Sequence, residues 1–290
     1  MLLSSFIRSS VKSLKALYPE PEARSMVHLV CQERLGVMSW THIVEPGTEI
    51  PAEDLPQLQE DIARMAAGEP LQYVLGYTEF RGRIFKTDRR ALIPRTETEV
   101  LVEEALRLAR DIPRGEGPLR VLDLCTGSGC IAWSLAFELP GAVVTAADLS
   151  QDALDLARSQ FRRLPSKVVR PKFIKGDILD FSSSFPACDL FTANPPYITL
   201  PEKALMRPNV LDWEPEMALF APESDCLAFH RALALWAVRL LSPGGAGIVE
   251  INEDLGEESA AVFVSAGLED VRILRDFAEK ERFVAFRKRP

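Results

Sequence analysis

The sequence predicts an α/β protein: a doubly wound, mostly parallel sheet of seven strands that ends in an antiparallel hairpin, preceded by a small helical bundle. Three patterns carry this expectation. From Leu119 onward, short apolar runs alternate with amphipathic stretches, as in a parallel sheet covered by helices on both faces. Near the end the alternation stops, because residues 271–274 and 282–286 are separated only by a short charged connection, and two strands so joined pair antiparallel. Residues 3–67, by contrast, repeat apolar side chains at three- and four-residue spacing, the mark of helices.

In chain order, residues 3–17, 21–35 and 52–67 read as helices, with Gly36 and Gly68 as their stops. After Pro70 the pattern becomes strand-like over 77–80 and 83–87 around Arg81-Gly82, a hairpin suited to link two domains. The expected division is a helical domain over 1–70, a hairpin linker over 71–94 and a larger domain over 95–290. Thr96 and Glu99 have the spacing of a capping box, which predicts a helix from there to about Ala109. Residues 111–118, with two prolines and two glycines, form a surface connection. Strands follow at 119–124, 142–147, 169–175, 188–193 and 245–251, and helices at 129–138, 151–163, 224–241 and 255–266.

The most informative motif is Asn194-Pro195-Pro196-Tyr197, directly behind the apolar run 188–193. An Asn at the carboxyl end of a buried strand offers one carbonyl acceptor and one NH2 donor, and two prolines remove backbone donors and stiffen the loop. What remains is a row of acceptors that can take both hydrogens of a planar NH2 group, with Tyr197 offering an aromatic face to a flat substrate. The same four residues also suit a turn that closes a strand.

A second constellation lies at the other strand ends. Strand 119–124 runs into Cys125-Thr126-Gly127-Ser128-Gly129 and a helix, and the glycines let a ligand approach the helix N-terminus. Asp148 ends the next strand 19 residues past Gly129, where an acid can accept both ribose hydroxyls. By spacing alone a dinucleotide would fit. The loop is looser than a pyrophosphate wants, however, and Asp123 beside it repels phosphate while attracting an ammonium group, directly or through water. That suits S-adenosylmethionine, which carries ribose, adenine, ammonium and carboxylate but no phosphate. Asp177 follows the third strand, placed to accept from the adenine amino group, with Ile178 packing near the ring.

Composition narrows the alternatives. The chain has 290 residues and a net charge of −8, and residues 1–80 hold six Lys/Arg against eleven Asp/Glu, so no direct nucleic-acid binding is expected. Five cysteines without a C-x-x-C pair read as reduced thiols, and three scattered histidines offer no ligand spacing, so no metal is expected. No basic start followed by a long apolar stretch is present, and no run is of membrane-spanning length; the expectation is a cytoplasmic protein that does not engage membranes.

With these residues in view, the sequence resembles class I S-adenosylmethionine-dependent methyltransferases, and within them the PrmC/HemK family of peptide chain release factor glutamine N5-methyltransferases. The resemblance runs through residues 72–76, Glu79-Phe80 with Gly82, residues 92–99, residues 122–129, residues 194–198, Glu214-Pro215 with Ala218-Leu219, residues 243–245, and Asp276 with Arg282. It covers nearly the whole chain. It implies a class I methyltransferase domain, S-adenosyl-L-methionine as methyl donor, and as substrate the glutamine of the Gly-Gly-Gln loop of class I peptide chain release factors. Carried over, Asn194, Pro195, Pro196 and Tyr197 are catalytic, and Cys125, Thr126, Gly127, Ser128, Gly129, Asp148, Asp177, Ile178 and Asn194 bind the cofactor. It also implies that residues 1–70 recognise the release factor away from its glutamine loop. Three positions depart from the family's usual residues: Thr96 stands for proline, Cys125 for glycine, and Glu250-Ile251-Asn252 for Glu-His-Gly. Cys125 is expected to act through its backbone and Thr96 to cap its helix. An amino-methyltransferase of adenine or guanine, which would grip a flipped base in the same way, is the alternative. A cofactor-binding protein without catalysis and a nicotinamide oxidoreductase stand further off.

Overall fold

The computed structural model describes residues 1–113 and 115–290. The first element is α1 (Leu3–Leu14), followed by α2 (Glu20–Leu35), α3 (Thr41–Val44), α4 (Leu55–Ala66) and α5 (Leu71–Leu75). Helix α1 stops three residues short of expectation, because the chain turns at Leu14, whose carbonyl accepts from both Leu17 and Tyr18 ahead of Pro19. Helix α2 has Pro21 and two glutamates in its first turn and ends on Gly36 at φ 68°, so both termini are favourable. Leu3, Ile7, Val11 and Leu14 of α1 meet Val27 and Val30 of α2 and Leu58 and Met65 of α4 in a core of their own. Asp61, fully buried, accepts from Arg34 at 2.7 Å and from Gln57 at 3.0 Å.

The hairpin is β1 (Tyr77–Phe80) and β2 (Arg83–Lys86), turned by Arg81 and Gly82 at φ 49° and 67°. Both central residues are left-handed, as the type I′ two-residue hairpin turn requires. Helix α6 (Thr98–Arg110) begins one residue later than a cap at Thr96 would place it. The Thr96/Glu99 box does not form: the Glu99 carboxylate instead accepts from the Arg81 backbone N–H at 3.0 Å.

From there the elements alternate: β3 (Arg120–Leu124), α7 (Cys130–Glu138), β4 (Val143–Asp148), α8 (Gln151–Arg158), β5 (Lys172–Lys175) and β6 (Cys188–Ala193). Three short helical segments precede the next long helix, namely α9 (Leu200–Lys203), α10 (Pro208–Leu211) and a 3-10 turn at Glu216–Ala218. The chain closes with α11 (Ala228–Leu240), β7 (Leu241–Glu250), α12 (Gly256–Ser265), β8 (Glu269–Arg275) and β9 (Glu281–Arg287). Helix α8 ends five residues before the expected position. Gln160 has another task there: its amide accepts from the Lys86 N–H and donates to the Lys86 and Ser128 carbonyls.

The seven strands lie in the order β5-β4-β3-β6-β7-β9-β8, parallel from β5 to β7, with β9 antiparallel to both of its neighbours. Alternate residues serve two cores. Val121, Val144, Leu190 and Ile248 face α6 and α7, while Leu122, Leu124, Phe191 and Val249 face α11 and α12. Burial on both faces explains why these strands read as continuous apolar runs. The chain divides into two compact units, Met1–Tyr77 with Arg207–Trp213, and Thr78–Met206 with Glu214–Pro290. Among the described residues no helix is long and apolar enough to cross a membrane.

Candidate active site

The carboxyl ends of β3, β4, β5 and β6 share one edge of the sheet, at the switch point where β3 has β4 on one side and β6 on the other. Open α/β sheets bind ligands in the crevice this reversal leaves. A cavity of about 480 Å³ lies there, lined by Cys125, Thr126, Gly127 and Ser128 after β3, Asp148 at the end of β4, Asp177 and Ile178 after β5, and Asn194 and Pro196 after β6. Two separate sequence motifs therefore share one cavity. Gly129, Pro195 and Tyr197 do not line it.

The loop after β3 is held by its own hydrogen bonds. Thr126 donates its N–H to the Ala147 carbonyl, and Gly129 donates to Thr126. Gly127 sits at φ 51° and Gly129 at 81°, conformations that favour glycine. At Gly129 space adds to the demand, since a Cβ there would meet Ala157 at 2.9 Å and Trp133 at 3.2 Å. Cys125, at φ 57°, occupies the same left-handed region with a side chain. Burial beside Asp148, Asp123 and Asp177 holds its thiol well above the ordinary range.

Asp123 corrects an expectation. It lies under the loop, fully buried, with the Thr126 hydroxyl donating to one oxygen at 2.6 Å and the Thr192 hydroxyl to the other at 2.7 Å. It does not line the cavity, so it is not placed to meet an ammonium group directly, and its two hydrogen bonds fasten the loop to β6. Burial pushes its carboxyl up to about 7, against the pull of the two hydroxyls.

Asp148 accepts the Gly127 N–H at 2.8 Å on one oxygen and the Ser150 N–H at 2.9 Å on the other. The Leu149 N–H also bonds this carboxylate, and of the four acceptor positions on its two oxygens at least one remains for a ribose hydroxyl. Asp177 accepts the Leu179 N–H at 2.8 Å, which sets its side chain at the cavity wall. Ile131, Leu149, Ile178 and Phe229 supply apolar walls. A cavity of this size, with Asp148, Asp152 and Asp177 and a glycine loop along one largely apolar cleft, fits a nucleoside carrying an amino-acid arm.

The Asn194 end contains residues that sequence reasoning passed over. Thr98, the first residue of α6, lines the cavity, and its hydroxyl lies 3.4 Å from Asn194 Nδ2 and 2.9 Å from Glu250 Oε2. Glu250 ends β7, next to Asn194 across the β6–β7 pairing, and also accepts the Tyr197 hydroxyl at 2.9 Å. Tyr197 thus anchors its loop, and it does not line the cavity. Burial raises the Glu250 carboxyl to about 7 despite both hydroxyls. His230 rests on the Glu250 backbone carbonyl at 3.2 Å, and burial lowers its ring to about 4, so it stays neutral. A lone acid at a strand's carboxyl end, as at Asp148, was the signal for Glu250; Thr98 was hidden in a segment that capping already explained. Arg95 and Glu214 form a further pair at 2.5 Å, and Glu214 also takes the Ile93 N–H at 3.0 Å. Among the described residues no group of three or more His, Cys, Asp or Glu could hold a metal ion.

Comparison with known proteins adds two family matches: one described as the PrmC N-terminal domain covers residues 6–76, and one described as a methyltransferase domain covers residues 121–207. A release factor glutamine methyltransferase from Bacteroides thetaiotaomicron is 37% identical over 97% of this chain and 98% of its own length. Another, from Bordetella pertussis, is 39% identical over 91% of this chain and 93% of its own. The crystal structure of a methyltransferase from Pyrococcus furiosus aligns with a TM-score of 0.50 over 83% of this chain and 100% of that one, at 15% identity, a likeness of fold.

Proposed function

The chain belongs to the release factor glutamine methyltransferases, and from that membership we propose how its residues divide the work of methylating the glutamine of a class I release factor's Gly-Gly-Gln loop. The observation that carries the reading is that Asn194 and Pro196 line the same cavity as Asp148, Asp177 and the 125–128 loop. Asp148, at the cavity wall, holds the ribose hydroxyls of S-adenosylmethionine, Asp177 takes the adenine amino group, and Ile178 packs against the ring. The loop of Cys125, Thr126, Gly127 and Ser128 receives the amino-acid arm, with Gly129 setting its turn into α7. When bound, the cofactor supplies an electrophilic methyl on a sulfonium.

The acceptor is difficult, because an amide nitrogen shares its lone pair with the carbonyl. Asn194 Oδ1 at the cavity wall and the carbonyl of the adjoining Pro195, which itself lies outside the cavity lining, accept the two hydrogens of the glutamine NH2, which holds the nitrogen in line and raises its electron density. Pro196 packs against the glutamine stem, and Tyr197 keeps the loop rigid through Glu250. No side chain has to remove a proton beforehand; it leaves after transfer. Residues 1–70 recognise the release factor outside its glutamine loop, a reading supported by the PrmC N-terminal match and by the exposed apolar residues Met38, Trp40, Ile43 and Val44. The protein works in the cytoplasm, where its five free cysteines stay reduced.

The test is mass spectrometry of a purified release factor incubated with the full chain and S-adenosylmethionine, with DNA and RNA as parallel substrates. One added methyl on the peptide containing Gly-Gly-Gln is expected. Transfer to nucleic acid with an unmodified release factor would overturn the assignment.

A further inference from the structure

We infer that Glu250 and Thr98 form a positioning relay that fixes which end of the Asn194 carboxamide faces the cavity, an inference that rests on the reading of Asn194 as the holder of the substrate amide. The observation is a chain of three hydrogen bonds. The Tyr197 hydroxyl meets Glu250 Oε1 at 2.9 Å, the Thr98 hydroxyl meets Glu250 Oε2 at 2.9 Å, and Asn194 Nδ2 meets Thr98 Oγ1 at 3.4 Å. Thr98 and Glu250 are 2% and 1% exposed, so water does not compete for these atoms.

An inventory of protons orients the chain. An ionised carboxylate only accepts, so both hydroxyls must donate to it. The hydroxyl of Thr98 has one proton and commits it to Glu250, which leaves only lone pairs for the next neighbour. The two ends of an Asn side chain are nearly alike in shape, yet only the NH2 end satisfies an oxygen that can do nothing but accept. Nδ2 is therefore kept at Thr98, and Oδ1 is the end that remains for a ligand. A proton on Glu250 Oε1 does not reverse this, because Oε2 still accepts from Thr98, whereas a proton on Oε2 would be donated to the Thr98 oxygen and free the Thr98 proton for Asn194, so it is the ionised carboxylate that sets the orientation.

The orientation matters for a substrate that arrives as an NH2 group. Flipped, Asn194 would set its own NH2 against that of the glutamine, donor against donor, and the nitrogen would be pushed from line. The fold supplies the relay from three elements: Thr98 opens α6, Glu250 closes β7, and Asn194 follows β6 in the neighbouring strand.

The experiment compares the full chain with Thr98→Val, which keeps the shape and removes the hydroxyl, and Thr98→Ser, which restores the hydroxyl without the methyl. We expect Thr98→Val to lower kcat on a release factor by roughly tenfold to a hundredfold, the scale of a misplaced reacting group. KM and the S-adenosylmethionine Kd should stay within a few-fold, and Thr98→Ser should recover most of the rate. In the wild-type protein, a nuclear Overhauser contact between the Asn194 side-chain NH2 and the Thr98 methyl is expected whether or not the variants fold. Wild-type kcat in Thr98→Val, a Thr98→Ser as slow as Thr98→Val, or the absence of that contact would overturn the relay. A wild-type protein inactive on release factors would instead overturn the functional reading.

Discussion

Two buried carboxylates do most to shape the site residue by residue. Asp123 and Glu250 both titrate near 7 in the fold, chiefly through burial, whereas in an unfolded chain such groups release their protons near pH 4. Between those limits the folded state holds protons the unfolded chain has lost. Each group therefore contributes stability that is complete below about pH 4 and is lost as pH rises through about 7. Asp123→Asn keeps partners for both threonine hydroxyls and removes one titration. Its melting temperature should fall less than that of the wild type between about pH 5 and about pH 8; parallel profiles would contradict the assignment. Asn194 is of another kind, since its proposed role lies at the acceptor and not in the fold. Asn194→Ala should abolish methyl transfer while leaving S-adenosylmethionine affinity within a few-fold by titration calorimetry, and an active Ala variant would end its assigned role.

At the level of elements, the site depends on segments far apart in sequence being tied to one another. Glu214 reaches back to the 93–95 segment, taking the Ile93 N–H and the Arg95 guanidinium, and so holds Pro94 and Arg95 at the cavity. The carboxylate is almost fully buried, so both bonds are charge-assisted and shielded. Glu214→Gln should speed hydrogen exchange at the Ile93 amide by roughly tenfold to a hundredfold, with exchange in the β3–β6 strands unchanged. An unchanged Ile93 amide would show that the segment is held by other contacts. The pair explains two of the motifs by which the family resemblance entered. It also shows a limit of local reading: Thr96 and Glu99 have the right spacing for a cap, but Arg81 takes the glutamate and Glu250 takes the neighbouring Thr98. Gln160 likewise ends α8 by bonding Lys86 and Ser128. In each case a tertiary partner outbids a local one.

Across the whole molecule, two units carry separate cores, and the segment Arg207–Trp213 belongs to the first although it lies within the sequence of the second. If the first unit recognises the release factor, substitutions on its exposed apolar surface should separate recognition from chemistry. Ile43 is 71% exposed, so Ile43→Asp should leave the melting temperature unchanged. It should raise KM for an intact release factor and leave turnover of a short Gly-Gly-Gln peptide as it was; equal effects on both substrates would argue against recognition there. The sequence by itself determined the order of the seven sheet strands and of the longer helices, the terminal hairpin, the glycine loop and the Asn-Pro-Pro-Tyr corner, because each is written in local periodicity, in turn chemistry or in short contiguous motifs. Only the tertiary structure decided that Asp123 lies beneath the loop, that Tyr197 turns to Glu250 instead of the cavity, and that Thr98 and Glu250 stand behind Asn194. Those outcomes depend on which buried polar groups find partners across 53 to 152 positions of chain, and a buried donor or acceptor takes the partner that packing brings within reach, whatever its distance in sequence.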